Sequence, residues 1–101
     1  MDFGLSKEVL SQIKNIVNEN QKYKFKIFGS RVKNTYKKTS DIDIAVFENV
    51  SKKDEYKIRN SFDLLDIIYK IDLVFINKHT KQEFLKEIIE EGMEIKSMSL
   101  Q

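Results

Sequence analysis

The chain has 101 residues, with 18 Lys and Arg against 16 Asp and Glu for a net charge of +2, and 41% of its residues are hydrophobic. A chain of this length buries about 60 to 70% of its unfolded surface, enough for one modest core, so we predict a single domain over residues 1–101. No apolar run approaches the roughly 20 residues of a membrane span, no secretory signal is recognisable and cysteine is absent, which excludes disulfide scaffolds and favours a cytoplasmic location.

The charge is distributed unevenly along the chain. Residues 1–20 carry a net charge of −1, residues 21–39 carry seven basic residues and no acidic residue, and residues 40–101 carry −4. A segment this basic attracts an anionic ligand, although a solvated basic hairpin is the simpler interpretation of the charge taken alone.

The first predicted elements are a helix over residues 6–19 and a strand that starts at Tyr23. In the helix, apolar residues recur at helical spacing behind Ser6, which is suited to cap a helix N-terminus. From Tyr23 to Phe28, apolar side chains alternate with lysines, which is the period-two pattern of a strand. This strand runs directly into Gly29-Ser30.

The second predicted strand begins after a polar stretch that ends at Ser40. Residues 41–47 alternate again, and Ile42, Ile44 and Val46 form the core face. Asp41 and Asp43 therefore share the opposite face, about 6.5 to 7 Å apart along the strand.

Two more helices and two more strands are predicted after residue 47. The first helix covers residues 52–66, with Tyr56 among its buried apolar positions, and a strand follows near residues 70–76. Thr80 and Glu83 form a capping box for the last helix, whose stripe of Phe84, Leu85, Ile88 and Ile89 runs toward Gly92. Residues 93–96 are a candidate short strand.

This order of elements predicts the fold class. Helix, strand, strand, helix, strand, helix and strand follow one another, and the connection between the first two strands is short. We therefore expect an α+β (mixed α/β) fold in which helices pack on one face of a small mixed sheet.

Five residues combine into a candidate catalytic site if the three main strands are neighbours. A solvent-facing Asp-x-Asp or a Gly-Ser turn is ordinary when it stands alone. Together, Asp41, Asp43 and Asp72 would place three like charges side by side, which is unfavourable unless cations such as Mg²⁺ bind between them. Two Mg²⁺ ions align a nucleophile and a leaving group for attack at phosphorus, and the Gly29-Ser30 turn offers N–H groups to phosphate oxygens. The basic segment would then offset the charge of a nucleoside triphosphate.

The spacing of these residues resembles a known signature. Gly29-Ser30, followed after ten residues by Asp41-Ile42-Asp43 and later by Asp72, is similar to the motif of the polymerase β-like nucleotidyltransferase superfamily. It is closest to the minimal nucleotidyltransferase (MNT) family, whose motif commonly reads Gly-Ser-Arg-Ala-x-Gly and ends in Ser-Asp-x-Asp. The chain departs from that motif at Val32 and Asn34, and because Asn tolerates positive φ we expect the turn to be kept.

The resemblance implies a role for each matching residue. Gly29 and Ser30 would bind the nucleotide phosphates. Asp41 and Asp43 would ligate both Mg²⁺ ions, and Asp72 would ligate the catalytic ion and is a candidate to accept the proton of the attacking hydroxyl. Arg31 also matches the motif, as a cofactor-binding residue that contacts phosphate or, alternatively, as a structural partner of an acidic residue.

The resemblance also implies a function. Family members of this size are similar to the antitoxins of HEPN–MNT toxin–antitoxin pairs, which transfer AMP from ATP to a tyrosine of the HEPN toxin. The chain ends soon after the last motif, so we expect the partner to complete the acceptor pocket. The alternatives are a catalytically weak antitoxin that neutralises by contact, or a transferase acting on a small molecule such as an aminoglycoside. Nucleic acid is not expected as a direct substrate, because no platform for stacking bases is evident.

Overall fold

The computed structural model describes residues 2–96. These residues form four helices and four strands, and each helix is followed along the chain by a strand. They are α1 (Lys7–Glu19), β1 (Lys24–Phe28), α2 (Ser30–Lys33), β2 (Ile42–Phe47), α3 (Lys52–Asp63), β3 (Ile71–Phe75), α4 (Gln82–Glu91) and β4 (Met93–Glu94). The predicted α+β class with a small mixed sheet is confirmed. Within residues 2–96, no helix has the length and apolar content needed to cross a bilayer.

The strands form one sheet in the order β3-β2-β1-β4. Strand β1 is antiparallel to β2 and β4, whereas β2 and β3 are parallel. In this register Phe28 lies opposite Asp43 on one side of β2, and Asp72 lies opposite Asp43 on the other side. The end of β1 therefore meets the beginnings of β2 and β3 at one edge of the sheet.

Helices α1 and α3 cover one face of the sheet and form the larger core with it. Side chains from alternate positions of β1 and β2 supply the sheet's part of this core, and both helices begin at serine caps, Ser6 and Ser51, whose hydroxyls accept hydrogen bonds from backbone N–H groups. The buried members of this core are Leu5, Ile13, Ile16, Val17, Phe25, Ile27, Ile42, Ile44, Val46, Ile58, Phe62 and Ile95.

Helix α4 packs on the opposite face, so the prediction that the helices lie on one face is wrong. Its fully buried Ile88 belongs to a second cluster with Phe28, Ala45 and Ile76. Phe84 of α4 meets Phe28 edge to face, with ring centroids 5.7 Å apart. On β2 and β3 this second face is acidic at the starts of the strands and apolar farther along, at Ala45 and Ile76, and this apolar part needs cover from α4. On β1 the same face also carries lysine, since Lys26 lies opposite Ala45.

The bounds of α3 and its buried face differ from the prediction. The helix ends at Asp63, three residues before the predicted end at 66. Tyr56, expected in the buried stripe, has 76% of its surface exposed, while Ile58 and Phe62 are buried as predicted. A stripe that contains Ile58 and Phe62 leaves Tyr56 on the outer side of the helix.

Two further details near the helix ends also differ. Thr80 and Glu83 do not form a capping box, because the Thr80 hydroxyl accepts a hydrogen bond from the N–H of Asn77 and Lys81 occupies the N-cap position of α4. The one-turn helix α2 was not predicted, since four residues are too few to show a helical apolar period.

Neighbouring isoleucines on α4 provide a test of how this helix packs. We expect Ile88→Ala to lower the free energy of unfolding by about 2–5 kcal/mol, because it removes a fully buried side chain between α4 and the sheet. Ile89 is 53% exposed, and Ile89→Ala should change stability by about 0.5 kcal/mol or less. Urea unfolding of the two variants measures the difference, and equal effects would contradict this orientation of α4.

Candidate active site

The turn between β1 and α2 has a backbone conformation that favours glycine. Gly29 adopts φ +81° and ψ −152°, a region that residues with a Cβ rarely enter. A Cβ built on Gly29 would also collide with Oδ2 of Asp43. The absence of a side chain at this position therefore allows both the turn and the close approach of the Asp43 carboxylate.

Helix α2 completes the turn. The N–H groups of Val32 and Lys33 donate to the carbonyl of Gly29, and the helix ends at Asn34, whose φ of +64° is left-handed. This agrees with the expectation that Asn34 keeps the turn that glycine forms in the family motif. Ser30 is half-buried at the first position of α2, where the N–H groups of a helix have no partners within the helix itself.

The three predicted aspartates lie at one edge of the sheet, on the face opposite the larger core. Asp43 and Asp72 are at the same register of the parallel strands β2 and β3, and Asp41 is two residues before Asp43. Asp41 and Asp43 are half-buried, whereas Asp72 is exposed. Gly29, through its contact with Asp43, joins this group, so the structure brings together four of the predicted site residues.

The electrostatics of this edge are unfavourable for ionised carboxylates. Burial raises the pKa of Asp43 above its usual value, and the neighbouring charges of Asp72 and then Asp41 raise it further. Each of these causes penalises the negative form of the carboxylate. A bound cation would remove this penalty.

The donor set suits a hard cation such as Mg²⁺, because it consists of carboxylate oxygens. Among residues 2–96, however, no three acidic or histidine side chains stand close enough to form a preassembled set of metal ligands. Neighbouring strands lie about 4.7–4.9 Å apart, so rotation of the Asp43 and Asp72 side chains is enough to direct both carboxylates toward one ion. The aspartates thus suit a divalent cation in their chemistry and backbone positions. To bind one ion, their side chains have to rotate toward a common point.

In this structure Arg31 makes neither of the contacts predicted for it. Its side chain is only 1% exposed and donates to two backbone carbonyls, those of Phe3 and Ser40, each at 2.9 Å. It therefore cannot contact a phosphate in this structure, and within residues 2–96 no acidic side chain pairs with it.

The rings of Tyr36 and Tyr69 lie against the guanidinium of Arg31, with centroids 5.1 and 4.7 Å from its central carbon. Sequence reasoning missed both tyrosines as partners of Arg31. Tyr36 lies in a polar loop and Tyr69 in an apolar run, so neither shows a local pattern that points to this contact.

Only part of the basic segment shares the face of the sheet that carries the aspartates, because Lys24 and Lys26 lie opposite Phe47 and Ala45 of β2. The expectation that the segment offsets a triphosphate stays a prediction. Lys24 lies opposite Phe47, and Phe47 is four residues, or about 13 Å, along β2 from Asp43. Lys33 pairs with Glu87 and Glu91 of α4 at 3.1 and 3.4 Å. The two basic residues nearest in sequence to the first aspartate are Lys37 and Lys38, which are exposed in the loop before Ser40.

Substitution of Gly29 tests its contact with Asp43. We expect Gly29→Ala to lower the free energy of unfolding by about 1–3 kcal/mol, from the positive φ and from the collision with Asp43. In the Asp43→Ala background the collision is absent, so the same substitution should cost less. A double-mutant cycle by urea denaturation measures this coupling, and additive effects would contradict the contact.

Substitution of Asp43 tests the electrostatic penalty. Because the folded protein raises the pKa of Asp43, the ionised carboxylate destabilises the fold above that pKa, and the penalty disappears below the unfolded value of about 3.9. Without divalent metal, Asp43→Asn should therefore melt a few degrees above the wild type at pH 7.5 and close to it at pH 4. Asp66→Asn, at an exposed position outside this group, should show no such difference.

Several solved structures share this fold. A toxin–antitoxin complex with AMP-PNP matches with a TM-score of 0.60 and 22% identity, over 89% of this chain and 74% of the other. A variant of the toxin–antitoxin MntA–HpeT matches with a TM-score of 0.59 and 20% identity over the same shares. A Sulfolobus solfataricus protein described as a candidate nucleotidyltransferase gives 0.52 and 24%, over 86% of this chain and 78% of the other. Comparison with curated proteins gives no significant match.

The family model supplies the assignment. The model for "Polymerase beta, Nucleotidyltransferase" matches residues 11–100, which include the Gly29-Ser30 turn and all three aspartates. Since this match spans nearly the whole chain, the chain belongs to the polymerase beta nucleotidyltransferase family.

Proposed function

We propose that this protein is a Mg²⁺-dependent nucleotidyltransferase that transfers AMP from ATP to the hydroxyl group of a tyrosine in a HEPN toxin. It would thereby act as a cytoplasmic antitoxin. The observation that carries the proposal is the register of the sheet. It sets Asp43 beside Asp72, with Asp41 two residues away and the backbone of Gly29 against the Asp43 carboxylate. Carboxylates beside a glycine turn suit the binding of metal and phosphate together.

Each residue then has a defined task. Asp41, Asp43 and Asp72 would hold two Mg²⁺ ions, which neutralise the phosphates and polarise the phosphorus when bound. Gly29 and Ser30 offer backbone N–H groups and a hydroxyl to the phosphate oxygens. Bound cations would offset the burial and the neighbouring charges that raise the pKa of Asp43.

The reaction is a substitution at the α-phosphorus of ATP. The oxygen of the acceptor hydroxyl forms a bond to that phosphorus, the bond from it to the oxygen bridging to the β-phosphorus breaks, and pyrophosphate leaves with the bonding electron pair. Asp72 accepts the proton of the hydroxyl, since it is the exposed member of the three aspartates and is open to an incoming acceptor.

The choice of partner and nucleotide is supported by the structural relatives. Three of the solved structures that share this fold are toxin–antitoxin structures, and one of these contains the ATP analogue AMP-PNP. At 20–22% identity these similarities establish the fold alone, and the toxin, the tyrosine and AMP are parts of the proposal.

Transfer of labelled AMP tests the proposal. The protein is incubated with Mg²⁺, ATP labelled at its α-phosphate and a HEPN toxin from the same genome. We expect the toxin to become labelled, and Asp43→Asn and Asp72→Asn each to reduce the rate at least about 100-fold, because each removes a metal ligand.

Controls separate this reaction from other causes of labelling. Asp66→Asn, outside the site, should retain the wild-type rate, and ATP labelled at the γ-phosphate should give no labelled toxin. Removal of divalent metal with EDTA should abolish transfer. Absence of labelling with Mg²⁺ and with Mn²⁺ would refute the proposed activity.

Neutralisation by contact alone is the alternative that the same variants distinguish. If Asp41→Asn/Asp43→Asn still protects cells from the toxin, binding rather than transfer accounts for antitoxin activity. Pyrophosphate release that depends on an added aminoglycoside would instead support a small-molecule acceptor.

A further inference from the structure

Arg31 connects three segments that lead into the candidate site. It follows Ser30 directly, its Nη2 donates to the carbonyl of Ser40, and Ser40 precedes Asp41. On one face of the guanidinium lies Tyr69, three residues before Asp72. The buried side chain of Arg31 thus adjoins the Gly29-Ser30 turn, which we call the phosphate turn, and contacts residues close to Asp41 and Asp72.

A backbone hydrogen bond extends this connection into the sheet. The N–H of Ile42, between Asp41 and Asp43, donates to the carbonyl of Lys70, the residue after Tyr69, at 2.9 Å. The starts of β2 and β3 are therefore joined both by this bond and through Arg31. A shift of the guanidinium would move both starts relative to the Gly29-Ser30 turn.

Stability alone does not account for an arginine at this position. Burying a guanidinium is costly, and no carboxylate among the described residues compensates its charge. Its Nε is buried and has no hydrogen-bond partner within residues 2–96. An apolar side chain of similar size would fill the space between the two tyrosines without burying a charge, but it would leave the carbonyls of Phe3 and Ser40 without the donors that Arg31 supplies. What the arginine adds is therefore the connection between these two segments.

We propose that Arg31 is a positioning residue that fixes the spacing of Asp41 and Asp72 relative to the phosphate turn, so that the aspartates converge on one divalent cation. This inference rests on the proposed function, because it assigns metal binding to those aspartates. The planar fork of arginine suits the task, since it reaches two carbonyls at once and presents flat faces to Tyr36 and Tyr69. Lysine has the same charge but neither the fork nor the flat faces.

Three variants and one control test the inference. Arg31→Lys keeps the charge and loses the fork, Arg31→Met keeps the volume and loses both, and Tyr69→Leu removes one stacking face. Ile58→Val, in the larger core, is the control for a general loss of stability. Tyr69→Leu and Arg31→Lys leave the test intact if Arg31→Met does not fold.

The first measurement is amide hydrogen exchange by NMR. In the Arg31 variants and in Tyr69→Leu, exchange at the Ile42 amide should accelerate about tenfold or more relative to the wild type, because the starts of β2 and β3 are released. The amide of Ile76, which donates to Val46 at the other end of these strands, should not change. Equal acceleration at both amides would indicate general destabilisation and overturn the inference.

The second measurement is Mn²⁺ binding by electron paramagnetic resonance in the presence of AMP-PNP, with no acceptor present. We expect the Kd for Mn²⁺ to rise about tenfold in the Arg31 variants, as for other residues that orient metal ligands, and to stay unchanged in Ile58→Val. Wild-type affinity in every folded Arg31 variant would overturn the inference and leave the proposed function intact. Failure of the wild type itself to bind Mn²⁺ with AMP-PNP would overturn the proposed function and this inference with it.

Discussion

The position of the Asp43 carboxylate is the constraint on which the site depends. It lies on a central strand, between β1 and β3, against the backbone of Gly29 and beside Asp72. Burial on this strand and the charge of Asp72 make the ionised carboxylate of Asp43 less favourable. The carboxylate in turn leaves no space for a side chain at position 29. A carboxylate in such a position lowers the stability of the fold and suits a cation as its partner. This combination is common where a fold retains strain at a functional site.

The second face of the sheet divides into two parts as a result. On β2 and β3 it is acidic at the starts of the strands and apolar farther along, where Ala45 and Ile76 pack with Ile88 of α4. The ion pairs of Lys33 with Glu87 and Glu91 connect α2 to α4. Exposed pairs of this kind contribute little to stability, so the apolar contacts are what hold α4 in place.

The strands β1 and β2 and the grouping of Gly29 with the three aspartates were predictable from the sequence, whereas the roles of these residues stay a prediction. Alternation identified β1 and β2, and the spacing from Gly29 to Asp41, Asp43 and Asp72 carried the resemblance to a family. The position of α4 was missed although Val74 and Ile76 make the second face of β3 apolar, which is a signal that this face is covered. No local pattern indicates which helix covers it. The surroundings of Arg31 involve Phe3, Ser40, Tyr36 and Tyr69, which are distant along the chain, and no periodic pattern links them.

The contact between Gly29 and Asp43 also constrains how related sequences can diverge. A side chain at position 29 needs the space that the carboxylate at position 43 occupies, so position 29 cannot gain a side chain while that carboxylate remains and both strands stay in register. A lineage that no longer uses the carboxylate is released from half of this constraint, because only the positive φ of residue 29 continues to favour glycine. Loss of the acid at position 43 accompanied by a new side chain at position 29 would therefore mark descendants that have kept the fold and abandoned its chemistry.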